Sequence, residues 1–373
     1  HYIRGQLCFC ISGKSKESNQ YQNKSHSTRH HLGDGMYFQM RVRPFCSTNH
    51  PVITALGQQR LFIMHSSTKS STVGLLSESE WKRRCEQHEE RFEAVVAPHA
   101  RRRSRHEENP VADFLFEYYA FRPSHLRKWS PGLGIILQGP AAGHFLDREH
   151  FEVGDLGVRV SLSNTPKHFE RGTRWILNLL QSTRNRAPQF GCFGLHEWAM
   201  LYKADTARHA SVQLRVSQNE VNEVVENGTV NCSHYDAFRF FTPDARPLNS
   251  RQLDRDDMTN CEQPGCLHAN MDMYRWAFKR YPWIDSDLIM DAFELAMEIR
   301  VLDMASSPYD VSAYGIDPVP IEADHGRQQY ITQQKKFAER ASSLRDRLIE
   351  AYQNIVIELD ALHGSFANSG SNS

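Results

Sequence analysis

No CxxC pair occurs in the 373 residues, although the chain holds 8 cysteines, at 8, 10, 46, 85, 192, 232, 261 and 266. Zinc-ribbon spacing is therefore absent. Scattered cysteines in a chain this long read as reduced thiols of a cytoplasmic or otherwise intracellular protein, not as a disulfide framework. No apolar run approaches the roughly 18 residues that a bilayer span needs, so no membrane partner is expected. Without a secretory route, the sequons at Asn227 and Asn231 carry little weight. Net charge is missing as well: 44 basic residues balance 44 acidic ones. A dedicated duplex binder usually shows a basic domain or face, so only a local patch is left to serve nucleic acid. Gly132, Gly134, Gly139 and Gly143 neither precede a P-loop lysine nor form a dinucleotide fingerprint. There is no internal repeat.

What is present begins with a change of composition. Residues 1–76 carry nine Lys/Arg against Glu17 and Asp34, and are rich in Ser, Thr, His and Gln with no sustained period. Such a segment resembles an organelle transit leader or translated upstream sequence, and lies outside the expected fold. Ser77 and Glu80 have the spacing of a capping box, and Trp81, Cys85, Phe92, Val95 and Val96 repeat at helical intervals until Pro98. A second helix is expected from Asn109 and Pro110 to Pro123. The stretch between them holds Arg101, Arg102, Arg103 and Arg105, the best basic patch in the chain, read as a loop. Residues 134–138, 158–163 and 212–217 alternate as short strands, and 173–180 and 193–202 read as helices. The expectation is a mainly α fold with minor β: one helical domain over 77–361 with short strands in its middle, then a disordered tail over 362–373.

Polar residues concentrate in three places. In Cys232–Phe241, an extended chain would put His234 and Asp236 on one face with Phe238 and Phe240. In Leu267–Tyr281, an apolar stripe is followed one residue on by a ridge of His268, Asp272, Arg275 and Lys279; His268 and Asp272, at i and i+4, can meet or ligate one metal. From Ser286, read as a cap, a largely apolar helix carries Asp287, Asp291, Glu294 and Glu298 on one stripe, with no cation of its own helix to join them. Asp303 falls on the opposite, apolar side of that helix. Buried there, it must be paired or raise its pKa, and Arg300 and His234 are the candidate partners. Glu322 and His325 form a single E-x-x-H, half of a di-iron pattern.

Five phrases also carry a resemblance: 114–123 (FLFEYYAFRP), 191–200 (GCFGLHEWAM), 234–243 (HYDAFRFFTP), 263–272 (QPGCLHANMD) and 302–310 (LDMASSPYD). From about Leu76 to Ile355 the chain resembles a bacterial family whose members usually carry the name 3-methyladenine DNA glycosylase. It departs at Met304-Ala-Ser-Ser-Pro308, where the family pattern has Arg after Met, and no helix-hairpin-helix loop is visible. The resemblance implies an enzyme that hydrolyses the N-glycosidic bond of alkylated purines in DNA without a cofactor. Such an enzyme needs a carboxylate at the sugar, an aromatic pocket for the flipped base and basic contacts to the backbone. Asp303, Asp236 and His234 are then candidates for catalysis. Tyr235, Phe238, Phe240, Trp276, Tyr309 and Arg239 are candidates for the base pocket, and Arg101, Arg102, Arg103 and Arg105 for phosphates. The residues themselves also allow a metal-dependent enzyme acting on a small molecule, with a divalent ion among His196, Glu197, His234, Asp236, His268 and Asp272. A third reading makes them structural polar pairs in a binding module.

Overall fold

The computed structural model describes residues 74–204 and 212–369. By internal contacts the chain divides into His1–Ser66 and Ser67–Ser373, and every element below belongs to the second unit. The leader expected over 1–76 thus lies outside the described residues, except for Gly74–Leu76. That segment forms a strand, β1, so the folded part reaches a few residues further toward the N-terminus than the capping signal marks.

The architecture is mainly α with a small sheet. Helix α1 (Glu78–Val95) starts where Ser77 Oγ accepts from the Glu80 amide at 3.3 Å, as its spacing requires. Pro98 does not merely end it but opens α2 (Ala97–Ser104), because proline suits the first turn of a helix. The arginine cluster is therefore on a helix rather than a loop, in its last turn, where the helix dipole favours cations. Asn109 caps a single turn, accepting from the amides of Val111 and Ala112; the regular helix α3 (Phe114–Tyr118) is much shorter than expected, and α4 (Pro123–Leu126) follows.

Strands β2 (Ile135–Leu137), β3 (Phe151–Gly154) and β4 (Gly157–Val160) complete the sheet in the order β1-β2-β4-β3. β1 runs parallel to β2, and the β3–β4 hairpin is antiparallel. Gly157 has φ +145°, and a Cβ there would lie 2.2 Å from the Leu137 carbonyl oxygen, so only glycine lets β4 lie against β2. The sheet and α1 share a minor core of Leu76, Trp81, Trp129, Leu137, Ala142, Phe145 and Val158.

The main core is helical. α5 (Phe169–Arg184), α6 (Leu195–Ala199), α7 (Gln218–Asn227), α8 (Tyr235–Phe238) and α9 (Met258–Cys261) surround α10 (Leu267–Phe278), α11 (Ser286–Ala305) and the long α12 (Asp324–Ser369). α10 packs along α11, and α12 runs against both and against α5. Three expectations are corrected. Residues 212–217 contain only an isolated bridge, Leu214 to Tyr309, because Ser217 and Glu220 use their side chains in a capping box that starts α7. The cap of α11 is Asp285, accepting from the Asp287 amide, while Ser286 Oγ accepts from Ser130. Finally, α12 continues through the expected tail to Ser369.

The acidic stripe of α11 is its outer edge, and its cations come from other helices. Arg91 of α1 donates to both Asp291 and Glu294 at 2.6 Å, Arg347 to Asp291 at 2.6 Å, and Arg340 to Glu298 at 2.5 Å. Helix-to-helix ion pairs thus relieve the repulsion expected along the stripe. None of the helices is long and apolar enough to cross a membrane among the described residues.

Candidate functional site

α11 delivers Asp303 to the interior, 0% exposed, as the helical count predicts. Arg300, one turn earlier and equally buried, donates through Nη1 to Asp303 Oδ2 at 2.5 Å and lies 3.3 Å from Glu197 Oε1. The guanidinium sits 3.8 Å over the Phe114 ring, so one charged plane is covered by an aromatic face. The other carboxylate oxygen of Asp303 faces α6. There His196 Nε2 lies 3.0 Å from Asp303 Oδ1. The two atoms are not aligned as a hydrogen bond, and neither has another hydrogen-bond partner among the described residues.

α6 is aimed by glycine. Gly194 has φ +70°, and a Cβ on it would stand 2.7 Å from Ser306 Oγ, next to the end of α11. Only glycine combines this left-handed conformation with so close an approach, which turns the chain directly into His196 and Glu197. On α10, His268 completes the group: its ring is perpendicular to that of His196, with centroids 4.3 Å apart. One ligand atom each from His196, His268 and Asp303 lie within 4.8 Å of one another. Burial, and then the His196 ring, push the His268 pKa well below its ordinary value, so the imidazole is neutral at physiological pH. Burial alone would raise Asp303, but His196, His268 and Arg300 hold it well below the usual carboxylate range.

A second group lies behind His268, whose ring stacks on that of His234 with centroids 5.5 Å apart. His234, 1% exposed, stands between two carboxylates: Nδ1 is 3.2 Å from Glu262 Oε1 and Nε2 is 3.7 Å from Asp272 Oδ2. Burial opposes its charge, yet Glu262 and Asp272 outweigh burial and raise its pKa to about 9. Tyr119 Oη donates to Asp272 at 2.5 Å, and Arg275 donates to Asp236 at 2.6 Å and to Asp272 at 3.4 Å. Arg239 adds an ion pair to Asp236 at 3.0 Å. Asp236 and Asp272 therefore have their own cations, whereas His234 Nδ1 and Glu262 Oε1 face each other without a hydrogen bond.

His196 and His268 of the first group, but not Asp303, line a cleft together with Cys192, Leu195, Cys232, Ser233, Gln263, Cys266 and Tyr330 among others. Its enclosed volume is about 20 Å³, room for a water or an ion but not for a purine ring. The five described cysteines are free thiols.

The structure brings together most of the residues singled out in the sequence, with different partners. Asp303 pairs with Arg300 and His196, and His234 belongs to the other group. His268 and Asp272 do not meet each other: one faces Asp303, the other His234. The ridge they open is not a surface, since Asp272 is 1% exposed. His234 and Asp236 share a cluster, but across the start of α8 rather than along a strand. Phe238 and Trp276 are buried in the main core, Tyr309 is 1% exposed, and Phe240 and Tyr235 pack against that core. These aromatics do not line the cleft. In α2, Arg101 pairs with Glu93 and Arg102 with Asp113, while Arg105, the residue that follows the helix, is 3.9 Å from Glu107. Glu322 receives both ends of Arg215, at 2.5 and 2.9 Å, which leaves no di-iron pattern with His325. Glu262, Tyr119 and the cysteines of the cleft were missed. Of these only the cysteines had a sequence signal, in the repeated closeness of Cys and His at 192/196, 232/234 and 266/268.

No family model, curated protein or solved structure matches this chain. The site therefore stands on its own geometry. All five phrases behind the resemblance reach it: Phe114 and Tyr119, His196 and Glu197, His234 and Asp236, His268 and Asp272, and Asp303.

Proposed function

We propose that the protein is a metal-dependent hydrolase of a small molecule, with a divalent ion held by His196, His268 and Asp303. One observation carries this reading: His196 Nε2 and Asp303 Oδ1 face each other at 3.0 Å, buried, without hydrogen-bond alignment and without other partners. Two ligands each about 2.0–2.1 Å from one ion lie about 3 Å apart when their bonds meet near a right angle. Arg300 occupies the other oxygen of Asp303, leaving Oδ1 for the ion. An ion held by these two histidines and one carboxylate would supply Lewis-acid activation of a water for hydrolysis. Glu197 Oε2, buried and unpartnered, is the neighbouring base for that water's proton. In the second group Arg275, Arg239 and Tyr119 occupy Asp236 and Asp272, which leaves the unaligned contact of His234 Nδ1 with Glu262 Oε1 at 3.2 Å as the rival position for an ion.

A second reading is a DNA glycosylase releasing alkylated purines, with Asp303 or Asp236 steadying the sugar cation. The convergence of the five resembling phrases on one site favours it. The small enclosed volume of the cleft and the burial of Phe238 and Trp276 weigh against it, since a flipped base needs an open stacking pocket.

The test is metal content of protein purified without chelator, followed by two assays: hydrolysis of neutral esters and amides, and release of free methylated base from alkylated duplex DNA. Stoichiometric metal and chelator-sensitive turnover of a small substrate support the hydrolase. Base release that survives chelation and is abolished by Asp303→Asn supports the glycosylase. Substoichiometric metal, with none taken up on addition, sinks the hydrolase.

A further inference from the structure

A pocket lined by the small sheet and the C-terminal part of α12 shares no residue with the proposed metal group or its cleft. Its enclosed volume is about 110 Å³, against about 20 Å³ for the cleft. A water needs about 10–15 Å³ of such space, so this pocket is sized for an organic molecule of several heavy atoms. The hairpin supplies its polar wall. Glu152 on β3 stands opposite Arg159 on β4, and Arg159 donates through Nε and Nη2 to Glu152 Oε1 at 3.0 and 2.9 Å. Ser163 Oγ donates to Glu152 Oε2 at 3.1 Å and is hydrogen-bonded to Ser161 Oγ. The Ser161 carbonyl is held in turn by Trp283 Nε1 at 2.9 Å. That charge pair is therefore closed within the wall.

The helix adds a carboxylate that has no such partner. Glu358 and Leu362, four residues apart on α12, both line the pocket. Glu358 is half-buried, and no hydrogen bond or ion pair reaches its carboxylate. Burial raises its pKa above the ordinary carboxylate value, and the Arg159 charge offsets this only in part. Two carboxylates thus share one guanidinium, which leaves the wall one positive charge short. The buried side chains of Ile136, Val160 and Leu162 give the remaining wall its hydrocarbon.

We infer that this pocket binds a primary alkylammonium group, with the ammonium on Glu358 and a short hydrocarbon chain against Ile136, Leu162 and Leu362. An ammonium supplies the missing counter-charge and donates hydrogen bonds to the carboxylate. An anion would meet Glu358 while Arg159 is engaged by Glu152. A metal ion is a poorer occupant, since hard cations need several oxygen ligands and no triplet of ligand atoms gathers here among the described residues.

The experiment is isothermal calorimetry on the full-length protein with pentylammonium, using pentanol, pentanoate and methylammonium as comparisons. The expected result is saturable binding of pentylammonium, with each comparison at least about 10-fold weaker. Glu358→Gln keeps the size of a half-buried side chain, and is expected to weaken pentylammonium about 10-fold while leaving pentanol unchanged. Nα-acetyl-lysine amide separates two sources of the same group. Tighter binding than pentylammonium assigns the pocket to a lysine side chain, weaker binding assigns it to a free amine, and either supports the inference. Pentanol bound as tightly as pentylammonium overturns it, as does pentylammonium affinity unchanged in Glu358→Gln. Absence of saturable binding of either ammonium by folded protein overturns it as well. None of these outcomes bears on the hydrolase reading, whose residues do not line this pocket.

Discussion

Arg300 and Asp303, three residues apart on α11, form a buried ion pair that leaves one carboxylate oxygen unused: Nη1 holds Oδ2 at 2.5 Å while Oδ1 faces His196. The pair fixes the carboxylate's orientation and divides its two oxygens between structure and site. Removing one partner strands the other charge in the core, which typically costs about 3–5 kcal/mol. Arg300→Met is therefore expected to lower thermal stability sharply, whereas Asp303→Asn, which keeps size and one acceptor, costs less but loses the ion. Thermal denaturation of both variants, with and without added divalent metal, checks this: metal should raise the midpoint of wild type and not that of Asp303→Asn.

Gly194 aims α6. With φ +70° and Ser306 Oγ 2.7 Å from where a Cβ would stand, Gly194→Ala meets both backbone strain and a clash. A loss of about 1–2 kcal/mol is expected, together with weaker metal binding through a displaced His196. Chemical denaturation alongside a metal titration separates the two effects. Stability and affinity both unchanged would refute this account of α6.

Tyr119 Oη donates to Asp272 at 2.5 Å, and the residue is part of the buried lattice behind His268. Tyr119→Phe removes a bond to a charged acceptor, expected to cost about 1.5–3 kcal/mol. Because Asp272 belongs to the second group, metal affinity should change little. A large loss of affinity with stability intact would mean that the ion sits in the second group instead.

Asp285, the cap of α11, gives a pH-dependent prediction. Burial raises its pKa to about 6. Its unfolded form titrates near the ordinary value, so between these two pH values the folded state binds more protons and stability from this residue falls as pH rises. Above about 6 the contribution is lost. Asparagine keeps the capping oxygen without the charge. Asp285→Asn should therefore be more stable than wild type by on the order of 1–2 kcal/mol at pH 7.5, with the difference shrinking toward pH 4. Urea denaturation at both pH values measures it. An advantage that grows toward acid would contradict the assignment.

The parts of this fold legible in the sequence are those that a single helix determines. The apolar stripes of α10 and α11 and the burial of Asp303 follow from 100° per residue, and Ser77 caps α1 as its spacing requires. Partners between segments were not legible. His268 and Asp272 are separated by 40° around α10, enough for them to serve two different clusters once α6 and α8 pack on either side. His196 was a candidate, but nothing local pairs it with Asp303, because that meeting depends on the left-handed turn at Gly194. The aromatics around Phe238 signalled a pocket and proved to be core, since aromatic density alone does not distinguish the two.

The most direct test of the central claim is a metal-binding isotherm, with Co²⁺ on wild type, His268→Ala and Asp303→Asn at matched folding. The account predicts one nitrogen- and oxygen-ligated ion per chain in wild type, and affinity reduced at least about 10-fold in each variant. Equal affinity in all three proteins, or no ion bound by folded wild type, would contradict it.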